Sequence, residues 1–115
     1  MNVRLLATDG KGSFSELSWD KPEITNDEIE VRAIMTGVCR SDIAMMAGEF
    51  GPLPLSMQGH EGLGQVTRVG SNINNVNIGD YVATRGEPAY ADYYNVRDGE
   101  FVVVPEASPK YIVEP

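Results

Sequence analysis

"EIEVRAIMTGV", residues 28 to 38, decides the fold class. Ile29, Val31, Ala33 and Met35 alternate with Glu30, Arg32, Ile34 and Thr36, and a period of two sends successive side chains to opposite faces of a strand. The segment therefore reads as a half-buried β-strand with one apolar and one more polar face. Shorter stretches on either side repeat the signal. "VRLLATD", "FSELSWD", "LGQVTRVG", "DYVATRG", "AYADYYNV" and "FVVVPE" are rich in β-branched or aromatic residues and are separated by glycine, proline, asparagine or aspartate. Many short strands with irregular links, in 115 residues, predict a mainly β domain: a partly open β-barrel that presents loops to a ligand or partner.

One stretch reads as a helix, "SDIAMMAGE" at residues 41 to 49. Ser41 or Asp42 can cap its start, Ile43, Met46 and Ala47 share a face, and Gly48 can end it. A second short helix is expected from "SPKY", with Ser108 as cap and Pro109 at the first helical position. Pro52 and Pro54 in "GEFGPLPLSMQG" exclude a helix there and disfavour a central strand. "GSNINNVNIGD" reads as a turn-rich connector.

Composition sets outer limits. Hydrophobic residues at 42% and charged residues at 23% place the chain among folded globular domains, and its length fits one domain over residues 1–115. Nine basic against seventeen acidic residues give a net charge of −8, which repels phosphate backbones and anionic lipid, and no basic cluster offsets it. Nucleic acid and membrane are thus not expected partners. No apolar run approaches the roughly eighteen residues of a membrane span, and "MNVRLLATDG" is too short and too soon interrupted for a secretory signal. A single cysteine forms no internal disulfide, so a cytoplasmic location is the default expectation. The closing "YIVEP" carries no stop signal or polar tail, which reads as a cut inside a longer protein.

That cysteine, Cys39, falls where a strand gives way to a helix, and the only histidine, His60, is flanked by Gly59, Glu61, Gly62 and Gly64. Either residue alone is more often a packing element than a ligand. Loops at strand ends, however, are where reactive groups sit. Zinc accepts thiolate, imidazole and carboxylate together. Cys39, His60 and Glu61 supply one of each, and their combined charge of −2 would balance the ion. The glycines beside His60 read as room for a tight turn and for close approach of metal and substrate. No paired short spacing such as Cys-x-x-Cys is present, so spacing alone does not define a zinc site.

"TGVCRSD" at 36–42, "GHEGLGQVTRVGS" at 59–71, "GDYV" at 79–82 and "YADYYNV" at 90–96 resemble the N-terminal, GroES-like catalytic domain of zinc-containing alcohol and polyol dehydrogenases. These belong to the medium-chain dehydrogenase/reductase superfamily, and the likeness covers most of residues 28 to 105. The resemblance implies that Cys39 and His60 bind the catalytic zinc and that Glu61 moves in and out of the metal's shell as water exchanges. It gives Arg40 the cofactor's phosphates, a task suited to a guanidinium. It makes Ser41 the hydroxyl that bonds the substrate alcohol and passes its proton outward, and Asp42 the carboxylate that orients the metal-bound histidine. Without it, Ser41 and Asp42 are equally helix caps and Arg40 a solvated charge.

Two departures stand out. Ala44 occupies the position where some members carry a relay histidine, so a proton relay must use water or another group. "GDYVATRGEPAYADYYNV" contains no cysteine where many members hold a structural zinc, so one catalytic zinc and no structural zinc is expected. The remaining ligand is a second cysteine, further along than these residues reach, in the alcohol branch of the family and a glutamate in an "EP" segment in polyol, glucose and related dehydrogenases; Glu114 of "YIVEP" resembles the latter, and that match would lean the substrate towards polyols or sugars.

Hydride transfer needs NAD or NADP, and the glycine-rich fingerprint that binds it is absent; "GHEGLG" reads as a link between strands without a βαβ frame. The expectation is therefore the catalytic domain of a zinc-dependent oxidoreductase that lacks its nucleotide-binding domain and is inactive alone. Its bared interface would expose apolar surface through which copies could associate as a homo-oligomer. The rival readings are a non-enzymatic GroES-like binding or assembly module and a metal-free reductase of the same superfamily.

Overall fold

The structure, a computed structural model, describes residues 1–51, 56–57, 59–86 and 88–112, with 56–57 as backbone only. Strands β1 (Asn2–Thr8), β2 (Ser15–Asp20) and β4 (Ser56–Met57) form one antiparallel sheet in the order β2-β1-β4. Strands β3 (Glu28–Thr36), β5 (Glu61–Val69), β6 (Tyr81–Arg85), β7 (Tyr93–Arg97) and β8 (Phe101–Val104) form a second, ordered β7-β3-β5-β6-β8 and also antiparallel. The sheets meet along residues 90–92, where Leu5 bridges Ala91, Leu6 N–H donates to Tyr90 O at 2.9 Å and Asp92 N–H donates to Arg4 O at 3.0 Å. They do not close, so the expected partly open β-barrel is what forms. Among the described residues no helix is long and apolar enough to cross a membrane.

The period-two reading of β3 holds on its apolar face. Ile29 and Val31 are fully buried and pack with Val66, Val82, Tyr94, Val96 and Phe101, each such aliphatic burial stabilising the fold by about 1.5–3 kcal/mol. The connector between β5 and β6 turns as expected, and it also tucks Ile73 and Val76 into this core.

The polar face of β3 differs from expectation. Glu30 is buried, because β3 lies between β5 and β7 and the chain after β2 crosses over it. Lys21 reaches Glu30 Oε2 at 2.8 Å with both side chains almost wholly enclosed. Its remaining protons go to Asn95 Oδ1 at 2.8 Å and Pro22 O at 3.0 Å, and Glu30 Oε1 accepts from the Thr67 hydroxyl at 2.9 Å. A buried pair persists only when its polar atoms are satisfied in this way.

Helix α1 (Arg40–Met46) has Cys39 as its N-cap, two or three positions before the caps the sequence suggests. Asp42 is therefore not the cap: it sits in the first turn and accepts the Cys39 N–H at 3.1 Å, a reach back to the cap that satisfies an otherwise free donor. Ser41, also expected as a cap, is exposed. The helix turns Asp42 inward and leaves Ile43 half exposed, so its supposed apolar face does not pack on the core. Gly48 follows the helix with φ of 87°, as its ending role requires. A single 3₁₀ turn at Pro109–Tyr111 fulfils the second helical expectation, with Ser108 at the N-cap position but no hydrogen bond from its side chain to the turn.

"GHEGLG" is not a link between strands, because β5 starts at Glu61 and contains Gly62 and Gly64. At Gly62 the missing side chain makes room for protein, not ligand: a Cβ would fall 2.2 Å from Tyr94 Oη and 2.6 Å from Thr84 Oγ1. Those hydroxyls bond each other at 2.8 Å, and burial pushes the Tyr94 phenol up to about 12. Gly62→Ala is expected to destabilise the chain by about 2 kcal/mol through overpacking. Urea unfolding would show this as a lower midpoint at an unchanged slope.

Candidate metal centre

Antiparallel pairing of β3 with β5 explains how positions twenty-one apart meet. Thr36 pairs with Gly62, and Gly37 N–H then donates to Glu61 O at 2.7 Å. The end of β3 thus lies beside the start of β5. Cys39 projects from the head of α1, His60 from the residue before β5, and Glu61 from its first position. Their ligand atoms all lie within 4.8 Å of one another. Tetrahedral zinc with its usual bond lengths holds donors about 3.3–3.8 Å apart, so closure needs only side-chain adjustment.

Glu61 is the telling member. Both carboxylate oxygens are buried and neither has a hydrogen-bond partner among the described residues. His60 Nε2 lies 3.5 Å from Oε1. A buried carboxylate left this way is costly, and an ion held between it, a thiolate and an imidazole would remove the cost. The donor set fits a divalent cation of zinc's type.

Asp42 lies behind the histidine. Its Oδ1 is 3.8 Å from His60 Nδ1, so the ring turns one nitrogen towards Asp42 and the other towards Glu61. Its Oδ2 accepts from Cys39 N–H and from the Tyr90 hydroxyl, each at 3.1 Å. Burial, and then the Asp42 charge, raise the Tyr90 phenol well above its ordinary range. Ser41 Oγ donates to Cys39 Sγ at 3.2 Å, and Arg40 is exposed at the helix start. Glu114 lies outside the described residues. The last described residue, Ile112, shares with the Glu61 carboxylate the space that a side chain at Gly37 would fill.

Tyr90 is the residue beside the candidate centre that sequence reasoning misses. It stands in a strand-like run containing three tyrosines, and its bond to Asp42 spans forty-eight positions with no local signature. A cavity of about 730 Å³ opens beside His60 and Glu61, lined also by Thr84, Arg85, Phe101 and Ile112. That is the size of a small-molecule site, with apolar and hydrogen-bonding walls together.

The Glu61 carboxylate gives a direct prediction. Glu61→Gln removes a buried charge without changing shape, so the metal-free chain should gain about 1–2 kcal/mol while its stabilisation by added zinc shrinks. Thermal melts with chelator and with zinc measure both signs. A variant less stable in chelator would show that the carboxylate is already compensated.

A partly open antiparallel barrel carrying a cysteine, a histidine and a glutamate at the β3 and β5 ends defines a GroES-like domain with a candidate metal centre. The chain matches the alcohol dehydrogenase GroES-like domain over residues 25–108, and it belongs to that family. It is 41% identical over 73 residues to D-arabitol-phosphate dehydrogenase of Enterococcus avium, covering 63% of this chain and 20% of that protein. Benzyl alcohol dehydrogenase of Acinetobacter calcoaceticus superposes with a TM-score of 0.82 at 19% identity, over 95% of this chain and 42% of that one. Quinone oxidoreductase of Coxiella burnetii superposes with a TM-score of 0.75 at 21% identity, over 90% and 37%. These two are likenesses of fold, shared by proteins of different named activity. The chain spans a fifth to a quarter of the length of the curated relatives it matches first.

Proposed function

We propose that residues 1–115 are the catalytic domain of a zinc-dependent oxidoreductase that moves hydride between an alcohol, polyol or sugar and NAD or NADP. The cofactor would be held by a separate dinucleotide-binding domain. The observation that carries this reading is the convergence of Cys39, His60 and the unpartnered Glu61 carboxylate. Bound there, zinc supplies Lewis-acid charge for interconverting an alcohol and a carbonyl.

The chain's own residues do the rest. Cys39 and His60 would hold the ion, and Glu61 would offset its charge and could give way to water. Asp42 keeps His60 turned inward. The Ser41 hydroxyl, exposed and close to Cys39 Sγ, takes the substrate's hydroxyl proton and passes it to water, since Ala44 offers no relay. Exposed Arg40 meets the cofactor's phosphates. Glu114 completes the ligand set: Ile112 already lies against Gly37 beside Glu61, and two further residues span at most about 7 Å of chain. With one cysteine in the chain, a four-thiolate structural zinc cannot be assembled from it.

Val38, Ile43 and Phe50, each at least half exposed, lie on the segment that contains α1 and Arg40, which the cofactor domain would cover. Copies of the isolated chain would associate through the same surface. A reducing compartment such as the cytoplasm keeps Cys39 available as a thiol.

The test has two arms. Metal analysis of the chain purified under reducing conditions should find about one zinc per chain. The complete gene product should reduce NAD or NADP with an alcohol, polyol or sugar from a panel. A chain that arrives without metal and takes up none would instead favour the non-enzymatic module.

A further inference from the structure

Tyr90 touches each piece of chain that carries the candidate centre, and it does so with both ends of its side chain. The hydroxyl donates to Asp42 Oδ2 at 3.1 Å. The same oxygen accepts the Cys39 N–H at 3.1 Å, and the other carboxylate oxygen lies 3.8 Å from His60 Nδ1. At the ring end, the residue before His60 has no room for a side chain: a Cβ on Gly59 would fall 2.6 Å from Tyr90 Cδ1 and 2.7 Å from Tyr90 N. Gly59 also takes φ of 95°, which a side chain would strain, and its carbonyl accepts the Ala89 N–H at 2.8 Å.

Tyr90 is itself held from outside the centre. Its carbonyl accepts Leu6 N–H from β1 at 2.9 Å, and the Phe14 ring meets it edge-on with centroids 6.1 Å apart. The clamp is therefore anchored to the other sheet. Asp42 is only 3% exposed, so its carboxylate depends on these few donors for its orientation.

We propose that Tyr90 is a positioning residue: its hydroxyl fixes the Asp42 carboxylate between Cys39 and His60, and its ring seats the Gly59–His60 backbone, so that thiolate and imidazole converge on one ion. The inference rests on the metal reading given above. Among the described residues the Tyr90 hydroxyl bonds Asp42 and none of the three donor atoms, so its effect on the ion passes through Asp42 and the Gly59 backbone.

Tyr90→Phe separates the two ends, because it keeps the ring against Gly59 and Phe14 and removes only the hydroxyl. Zinc affinity, measured by competition with a chromophoric chelator, is expected to fall about tenfold, the lower end of what outer-shell partners contribute. The thiolate-to-metal and ligand-field bands of the cobalt-loaded chain should shift at the same time. A double-mutant cycle with Asp42→Asn should show that Tyr90→Phe adds less than about twofold once the carboxylate is gone.

Wild-type affinity and an unshifted cobalt spectrum in Tyr90→Phe would overturn this inference and leave the metal reading intact. Equal losses in both backgrounds would also overturn it, by showing that the hydroxyl does not act through Asp42. A Tyr90→Phe chain that no longer folds would do the same, assigning the hydroxyl to stability. A wild-type chain that binds neither zinc nor cobalt would remove the metal reading, and this inference with it.

Discussion

His60→Ala and Cys39→Ser are each expected to weaken zinc binding by about 100-fold or more. Structural sites gain about 10–16 kcal/mol from four ligands, so one donor carries roughly 3 kcal/mol. The loss should be at least that large here, because few donors converge. Cys39, His60 and Glu61 are the only group of three or more histidine, cysteine or carboxylate residues so clustered among the described residues. A neighbour cannot step in for either: the chain has one cysteine and one histidine. Competition with a chelator gives the affinity. Zinc stabilisation gives an independent measure, since a 100-fold weaker site loses about 2.7 kcal/mol of it at a fixed excess of metal. Both variants should fold without metal, because neither side chain belongs to the main core. If both retain wild-type affinity, the ion sits elsewhere and the oxidoreductase reading loses its support.

What could be read from the sequence follows from how local each signal is. The alternation in residues 28 to 38 is local, and it placed Ile29 and Val31 correctly on the core face. The meeting of Cys39 and His60 is not, since it depends on β3 pairing with β5 across an excursion through α1 and β4. Only likeness to a family could supply it. The burial of Glu30 is not legible locally, because alternation says which face a residue takes and not whether that face is covered. Central position in the sheet and the crossing chain at Lys21 cover it. The helix failed differently: in seven residues, side-chain bonds outweigh apolar periodicity, and Asp42's bonds to Cys39 and Tyr90 turn it inward at the expense of Ile43. Gly62 looked like loop chemistry because nothing nearby in sequence reveals that Tyr94 and Thr84 need its space.

Lys21→Met is expected to destabilise the chain by about 3–5 kcal/mol, the usual result of breaking a buried pair from one side. The Lys21 side chain is 1% exposed and that of Glu30 is 4%. Removing the ammonium leaves the carboxylate with the Thr67 hydroxyl and without its buried counter-charge, while Asn95 Oδ1 loses a donor as well. Against a total stability of about 5–15 kcal/mol for a typical domain, that is a large fraction. Lys21→Met combined with Glu30→Leu should recover most of the loss, because two apolar side chains can replace a buried pair at little net cost. Urea unfolding of the two single variants and the double variant measures the coupling directly. A single-variant loss below about 1 kcal/mol would mean that water reaches the pair. Among the described residues the pair bonds Pro22, Asn95 and Thr67 and not Cys39, His60 or Glu61, so the folded fraction of each variant should bind zinc as the wild type does. That outcome would separate what holds β3 in the sheet from what its far end carries.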